Sequence, residues 1–370
     1  MTSTRLNKML LVALLLTANC GRLQAATLDS AVGDTVDRIC LYLKSKGESQ
    51  ISIGQFMGPK NGFATSGPGI ADMFLQHFRR QNISVVPRAN VGLKGEYALD
   101  QMRGDAVGVK ITGSLTDPEG DVLTDFTFSA DGGNSHTIEK TINHQEDVVQ
   151  LLGVTTDLYP EDADQDRNRD LKKRILHPEL HIDGTRCSAS KRSPYRIEIL
   201  INGRPAPIDV TDGLGFVKIN RGDIYSVRIY NESDYDAAVR FSIDGLNVFA
   251  FTDLREPDGT PLYSFYIVPK GKVVELKGWH KNNETVNSFR VTSYADSAAA
   301  TIHHNSNIGT ITAVFSAAWP KGGKKPDDED FTAKGEPNAT GFGPPLTQVV
   351  QEVQREIGRL RSSISLRYSK

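Results

Sequence analysis

Tyr195-Arg-Ile-Glu-Ile-Leu-Ile201 places apolar residues at alternate positions and runs into Asn202-Gly203, a dipeptide that accepts both positive φ angles of a two-residue hairpin turn. The same texture recurs downstream. Short apolar-rich runs at 216–219, 225–230, 237–243, 247–251, 263–268, 273–276, 288–292 and 309–315 are separated by turn signals such as Arg221-Gly-Asp223, Asp244-Gly245 and Pro269-Lys-Gly-Lys272. Nine strands at this spacing predict a β-sandwich over 188–319.

Upstream the period changes. Val32, Val36, Ile39, Cys40 and Leu43 recur at helical spacing and Gly47 stands where a C-terminal cap is expected. A strand at 50–56 follows, then a loop rich in Gly and Pro at 57–69, then a helix capped by Ser66 with Ile70, Met73, Phe74 and Phe78 on one face. Residues 83–87 form a short strand, 107–115 and 122–130 a hairpin about Asp117-Pro-Glu-Gly120, and 147–153 a last short helix. This order predicts an α/β-layer domain with a mixed sheet over 27–160, so the fold class is α+β.

Between the domains, 161–187 carries acids first and bases last, which complements a helix macrodipole and predicts a solvated connecting helix. Its alternating Asp162, Asp164, Asp166 and Asp170 do not make a calcium loop, since Arg167 replaces the required glycine and Lys173 the bidentate glutamate. Beyond the sandwich, 320–345 is rich in Gly and Pro and reads as a flexible linker. After it, 346–370 returns to the sandwich: Leu346, Val350, Val353, Ile357 and Leu360 share a helical face, and 361–368 suggests a strand.

The first 25 residues read as an export signal peptide, with basic Arg5 and Lys8, an apolar run at 9–16 and a small residue, Ala25, at the cleavage position. The run is too short for the ~20 residues that span a bilayer. Cys20 offers lipidation as a second route, but Asn19 stands where a small residue normally precedes an acylated cysteine. Cleavage after Ala25 removes Arg5, Lys8 and Arg22 and no acid, so the net charge moves from -2 to -5. No global positive field exists to hold a nucleic acid. No later stretch reaches ~18 consecutive apolar residues, so no transmembrane segment is expected after the signal.

In the first domain, Ile83-Ser-Val-Val-Pro-Arg-Ala-Asn90, Lys94-Gly-Glu-Tyr97 and Val109-Lys-Ile-Thr-Gly-Ser-Leu-Thr-Asp117 resemble bacterial envelope domains of the curli-secretion-channel and flagellar outer-membrane-protein type. The resemblance implies a role in envelope assembly. In the second domain, Asn231-Glu-Ser-Asp-Tyr-Asp-Ala-Ala-Val-Arg-Phe-Ser-Ile-Asp-Gly-Leu-Asn-Val248, Tyr266-Ile-Val-Pro-Lys-Gly271, Gly278-Trp-His-Lys281 and Ile308-Gly-Thr-Ile-Thr-Ala-Val-Phe315 resemble an uncharacterised family of exported bacterial β-sandwich proteins. His280 stands where that pattern usually has Arg. The resemblance implies an exported module and carries no catalytic residue across.

Trp279, His280, Lys281 and Asn283 follow a strand, and together with Asp244 and Asn247 they are the candidate binding surface. Two simpler readings stand beside it: Trp279 as the buried tryptophan of the sandwich, and Asp244-Gly245 as a plain turn. Cys40 and Cys187 either close a disulfide in an oxidising compartment or remain buried thiols. The glycine loop matches neither a Walker nor a dinucleotide motif, and His177, His181, His303 and His304 lack partners at zinc spacing, so no cofactor and no metal is read.

The expectation is an exported cell-envelope protein, periplasmic, outer-membrane-associated or extracellular, that binds an envelope protein or a glycan without catalysis. One alternative is an envelope-polymer hydrolase built on Asp253 and Glu256. Another is a self-assembling structural subunit, a homo-oligomer.

Overall fold

The computed structural model describes residues 25–59, 65–102, 104–123, 137–291, 308–329, 338–342 and 350–369. It has a mixed α+β architecture, mostly β, in three sheets. No helix among these residues is long and apolar enough to cross a membrane.

The first layer begins with helix α1 (Leu28–Lys46). Thr27 caps its first turn by accepting the Ser30 N–H, and Gly47, at φ 73°, ends it by donating back to Leu43 and Lys44. Strand β1 (Gln50–Met57), helix α2 (Gly67–Arg80) and strands β2 (Ser84–Val85), β3 (Gly92–Gln101), β4 (Val107–Thr116) and β5 (Thr137–Ile142) follow, then helix α3 (Gln145–Leu152). The sheet order is β2-β1-β3-β4-β5, parallel at β1 and antiparallel from β3 onward. The hairpin expected for 107–115 with 122–130 is present at its turn, where Thr116 bridges Val122 and Leu123 N donates to the Leu115 carbonyl; further along, β4 pairs with β5 over Val109–Ser114, and 124–130 lies outside the described residues. Ser66 occupies the N-cap position of α2, but its hydroxyl caps nothing there and donates instead to the Gln150 carbonyl.

Strand β6 (Thr156–Asp157) and helix α4 (Asp164–Leu176) form the connector. The helix is not the solvated rod its charges suggest. Arg167 and Leu171 are buried, and the Arg167 guanidinium donates to Gln145 Oε1 at 2.9 Å, to the Tyr159 carbonyl at 2.7 Å and to the Leu360 carbonyl at 2.8 Å.

The sandwich follows as β7 (His181–Asp183), β8 (Arg186–Ser188), β9 (Tyr195–Ile201), β10 (Arg204–Pro205), β11 (Asp209–Thr211), β12 (Leu214–Lys218), β13 (Ile224–Asn231) and β14 (Asp236–Ile243). It continues through β15 (Leu246–Asn247), β16 (Phe265–Val268), β17 (Lys272–Leu276), β18 (Gly278–His280), β19 (Val286–Arg290), β20 (Ile308–Pro320), β21 (Asn338–Phe342) and β22 (Val350–Ser369). One sheet runs β18-β19-β13-β9-β8-β7, with β10 and β17 alongside. The other runs β11-β12-β22-β20-β14-β16-β21, with β15 and β6 alongside. The strand expected at 247–251 shortens to Leu246–Asn247, because the next four residues turn.

Two expectations are corrected near the C-terminal end. Residues 350–360 are strand, not helix: all of β22 is extended and lies between β12 and β20. The linker at 320–345 is not simply looped out, since β21 pairs with β16 and β22 and Glu329 is fully buried. Arg361 clamps that segment, donating to both oxygens of Asp328 at 2.8 and 2.7 Å. Of the two readings of Cys40 and Cys187, the structure has buried free thiols, which lie in two different apolar cores and form no bridge.

The cores themselves are not wholly separate. Val314 of β20 and Leu360 of β22 pack into the core of the first layer, against α3 and α4 residues such as Val149 and Leu171.

Candidate functional site

The six candidate residues divide between two places. Strands β18 and β19 form a hairpin in which Trp279 is paired with Asn287 and His280 with Val286. Trp279 is half-buried, its ring edge-on to Phe251 at 5.1 Å and to Phe289 at 5.6 Å, so most of its area packs onto the sandwich core. His280 is fully buried. Its Nδ1 lies 3.0 Å from Thr252 Oγ1, and its ring packs against Phe249 and Tyr263 at 4.9 and 5.7 Å. Burial pushes the imidazole down to about 4, with Asn283 pulling weakly the other way, so the ring is neutral near pH 7. Asn283 donates to the Tyr263 hydroxyl at 3.2 Å, and Lys281 is exposed at the hairpin tip. Asn247 folds onto its own turn, accepting from Phe249 N and donating to the Ser264 carbonyl.

Asp244 lies elsewhere, in the junction between the two layers. Asp244 and Gly245 join β14 to β15 with φ of 53° and 77°, the two-residue hairpin geometry. The Asp244 carboxylate accepts from Thr65 Oγ1 at 2.7 Å, Thr310 N at 2.9 Å and the Tyr368 hydroxyl at 3.2 Å. Burial and the nearby Asp244 charge push the Tyr368 phenol well above its usual range, which keeps it a donor. The turn is keyed against the start of α2. A Cβ on Gly245 would lie 2.7 Å from Ser66 Cα, and one on Gly69 would lie 2.2 Å from the Gly245 carbonyl oxygen. Ser66 N donates to the Tyr97 hydroxyl at 2.8 Å, so this helix start is closed by protein and does not face an anion.

His280 and Asp244 are therefore interior residues, and the expected binding surface does not include them. Asp253 and Glu256 are both exposed, on a turn where Glu256 N donates to the Thr260 carbonyl. Among the described residues no group of three or more His, Cys, Asp or Glu comes together as a metal site, and His303 and His304 lie outside them.

A built polar cluster lies on the outer face of the first sandwich sheet, partly exposed at Arg228 and Glu275 and buried at Glu198, Ser226 and Tyr230. Arg228 of β13 stands directly opposite Glu198 of β9 on one side and Glu275 of β17 on the other. Its guanidinium reaches Glu198 Oε2 at 3.3 Å and Glu275 Oε2 at 3.1 Å. Thr185 and Tyr230 donate to Glu198 at 2.5 and 2.8 Å, Ser226 donates to Glu275 at 2.9 Å, and the Arg186 guanidinium stacks 4.4 Å over the Tyr230 ring. Burial works against the Glu198 charge, yet the Thr185, Tyr230 and Arg228 contacts outweigh it and hold the carboxyl below its ordinary range. The signal for this face is in the sequence: Arg196 and Glu198, and Ser226, Arg228 and Tyr230, are the alternate positions of their strands. Compared with known proteins, the chain matches no family model, no curated protein and no solved structure.

Proposed function

We propose that this chain is an exported cell-envelope protein whose sandwich binds an envelope protein or a glycan without catalysis. The observation that carries the reading is the Glu198–Arg228–Glu275 ladder, a row of alternating charge fixed on three adjacent strands, in which Arg228 and Glu275 are partly exposed and the buried Glu198 anchors them. Glu198 is held by Thr185, Tyr230 and Arg228, and Glu275 by Ser226 and Arg228, so the row offers its remaining hydrogen-bonding atoms with little ordering cost on binding. Acid catalysis on a glycosidic bond needs a carboxyl raised toward neutrality, and Glu198 is shifted the other way. The ladder thus suits recognition better than proton transfer.

The test is co-sedimentation of the purified protein with isolated envelope polymers, together with crosslinked capture from intact cells, for the parent and for Arg228→Gln and Glu275→Gln. Retention that falls at least tenfold in both variants supports the reading. Retention unchanged in both variants, or hydrolysis of a polymer by the parent protein, overturns it.

A further inference from the structure

We infer that the α-amino group of Ala26, released by cleavage after Ala25, is a structural ligand with its own socket at the β5–α3 junction. Three consecutive residues carry the inference. Ala26 N donates to Asn143 Oδ1 at 2.6 Å, while its carbonyl accepts from Asn143 N at 3.2 Å and His144 N at 3.1 Å. Thr27 caps α1, and Leu28 N donates to Asp147 Oδ2 at 3.0 Å. Ala25, one residue earlier, is exposed. The chain is thus gripped on both main-chain groups of the first residue after the expected cut, and the residue before the cut is open to solvent.

The socket also fits the chemistry of the product. Hydrolysis of the Ala25–Ala26 amide by a signal-processing peptidase places the oxygen of one water on the Ala25 carboxyl and its protons on the Ala26 nitrogen, which is then an ammonium at neutral pH. The neutral N–H bond to Asn143 becomes a charge-assisted one, and the Asp147 carboxylate, which binds the next turn, supplies a negative field. Asp147 in turn holds Arg240 of β14 at 3.3 Å, so the new terminus joins a contact that runs from α1 to the sandwich. This inference rests on the export reading for the cleavage step, and the geometry of the socket does not depend on it.

The experiment separates the two. The full chain is expressed in an exporting bacterium, the product is recovered from the envelope fraction, and its intact mass is measured. The native and urea-unfolded forms are then treated with acetic anhydride and modification of the N-terminal amine is followed by peptide mass spectrometry. The expected result is a chain beginning at Ala26 whose amine reacts at least fivefold more slowly when native. Asn143→Ala should remove most of that protection, and Asn143→Asp, which keeps the acceptor, should preserve it. A different first residue overturns the processing step, and the socket is then read on a chain freed from a fusion partner to begin at Ala26. Equal native and unfolded rates in either preparation overturn the socket.

Discussion

Thr65 donates a 2.7 Å hydrogen bond to Asp244, and this buried contact ties the start of α2 to a hairpin turn 179 residues further along the chain. The same carboxylate holds Thr310 N and Tyr368, so one side chain joins the first layer to two strands of the sandwich.

Asp244→Ala removes the acceptor of Thr310 N and of the Tyr368 hydroxyl, while Thr65 keeps Thr310 Oγ1 at 3.1 Å, and should lower stability by about 3 kcal/mol, given ~1–3 kcal/mol per stranded group and partial relief by relaxation. Asp244→Asn keeps the shape and should cost less. Urea denaturation checks both, and a midpoint within error of the parent for Asp244→Ala would refute the assignment. Gly245→Ala should also be destabilising, because its Cβ meets Ser66 and its φ is positive.

Arg361→Ala should release the segment before residue 330. Glu329 is fully buried and has the Arg361 guanidinium at 3.5 Å and the Arg359 N–H at 3.2 Å, while both oxygens of Asp328 accept from Arg361, so the substitution takes the neighbouring cation from a buried carboxylate and releases Asp328. Trypsin should then cut at Lys321 or Lys324 at least several-fold faster than in the parent, while a stable cutting rate would show that the clamp is dispensable.

His280 gives the fold an acid limit. Its ordinary value of 6.5 falls to about 4 in the folded state, so the unfolded chain takes up a proton first as pH drops. The contribution of His280 is present in full above pH 6.5 and is lost between 6.5 and about 4. The loss is at most roughly 3 kcal/mol, at 1.36 kcal/mol per pKa unit. His280→Asn should flatten the stability profile in that window, and an unchanged slope would place the acid sensitivity elsewhere.

Asp72 acts in the opposite direction. Burial raises its carboxyl from 3.8 to about 6, against the Gln76, Arg255 and Arg79 contacts that lower it. The unfolded chain therefore loses this proton first, and stability declines as pH rises from 3.8 to about 6. Asp72→Asn should raise the melting temperature at pH 7 and leave it little changed at pH 3.5. A lower melting temperature at pH 7 would show that the ionised form is needed.

Much of the sandwich was legible because turns such as Asn202-Gly203 bracket alternating runs, and β9 has the bounds its sequence suggests. The C-terminal strand was misread for a physical reason. Its pairing with β20 shifts register between Ser316 and Ala318, so Ile357 and Leu360 both face inward although they are three apart. That bulge imitates helical spacing, and only beyond Leu360 does the period return to two, at Ile364, Leu366 and Tyr368. The junction at Asp244 was hidden differently. Its turn and the glycine loop were each explained by local backbone needs, and nothing local reveals that they meet. The charged ladder depends likewise on which strands become neighbours, since Glu275 of β17 reaches Arg228 of β13 from 47 residues away.

The position of β22 also governs when the protein can fold. It is the last strand in chain order, yet it fills the middle of its sheet, and its Leu360 completes the core of the first layer. The β11-β12-β22-β20-β14-β16-β21 sheet is therefore continuous only once this segment has been made, and the pairing of β12 with β22 spans about 150 residues of chain. Such long-range closure is slow.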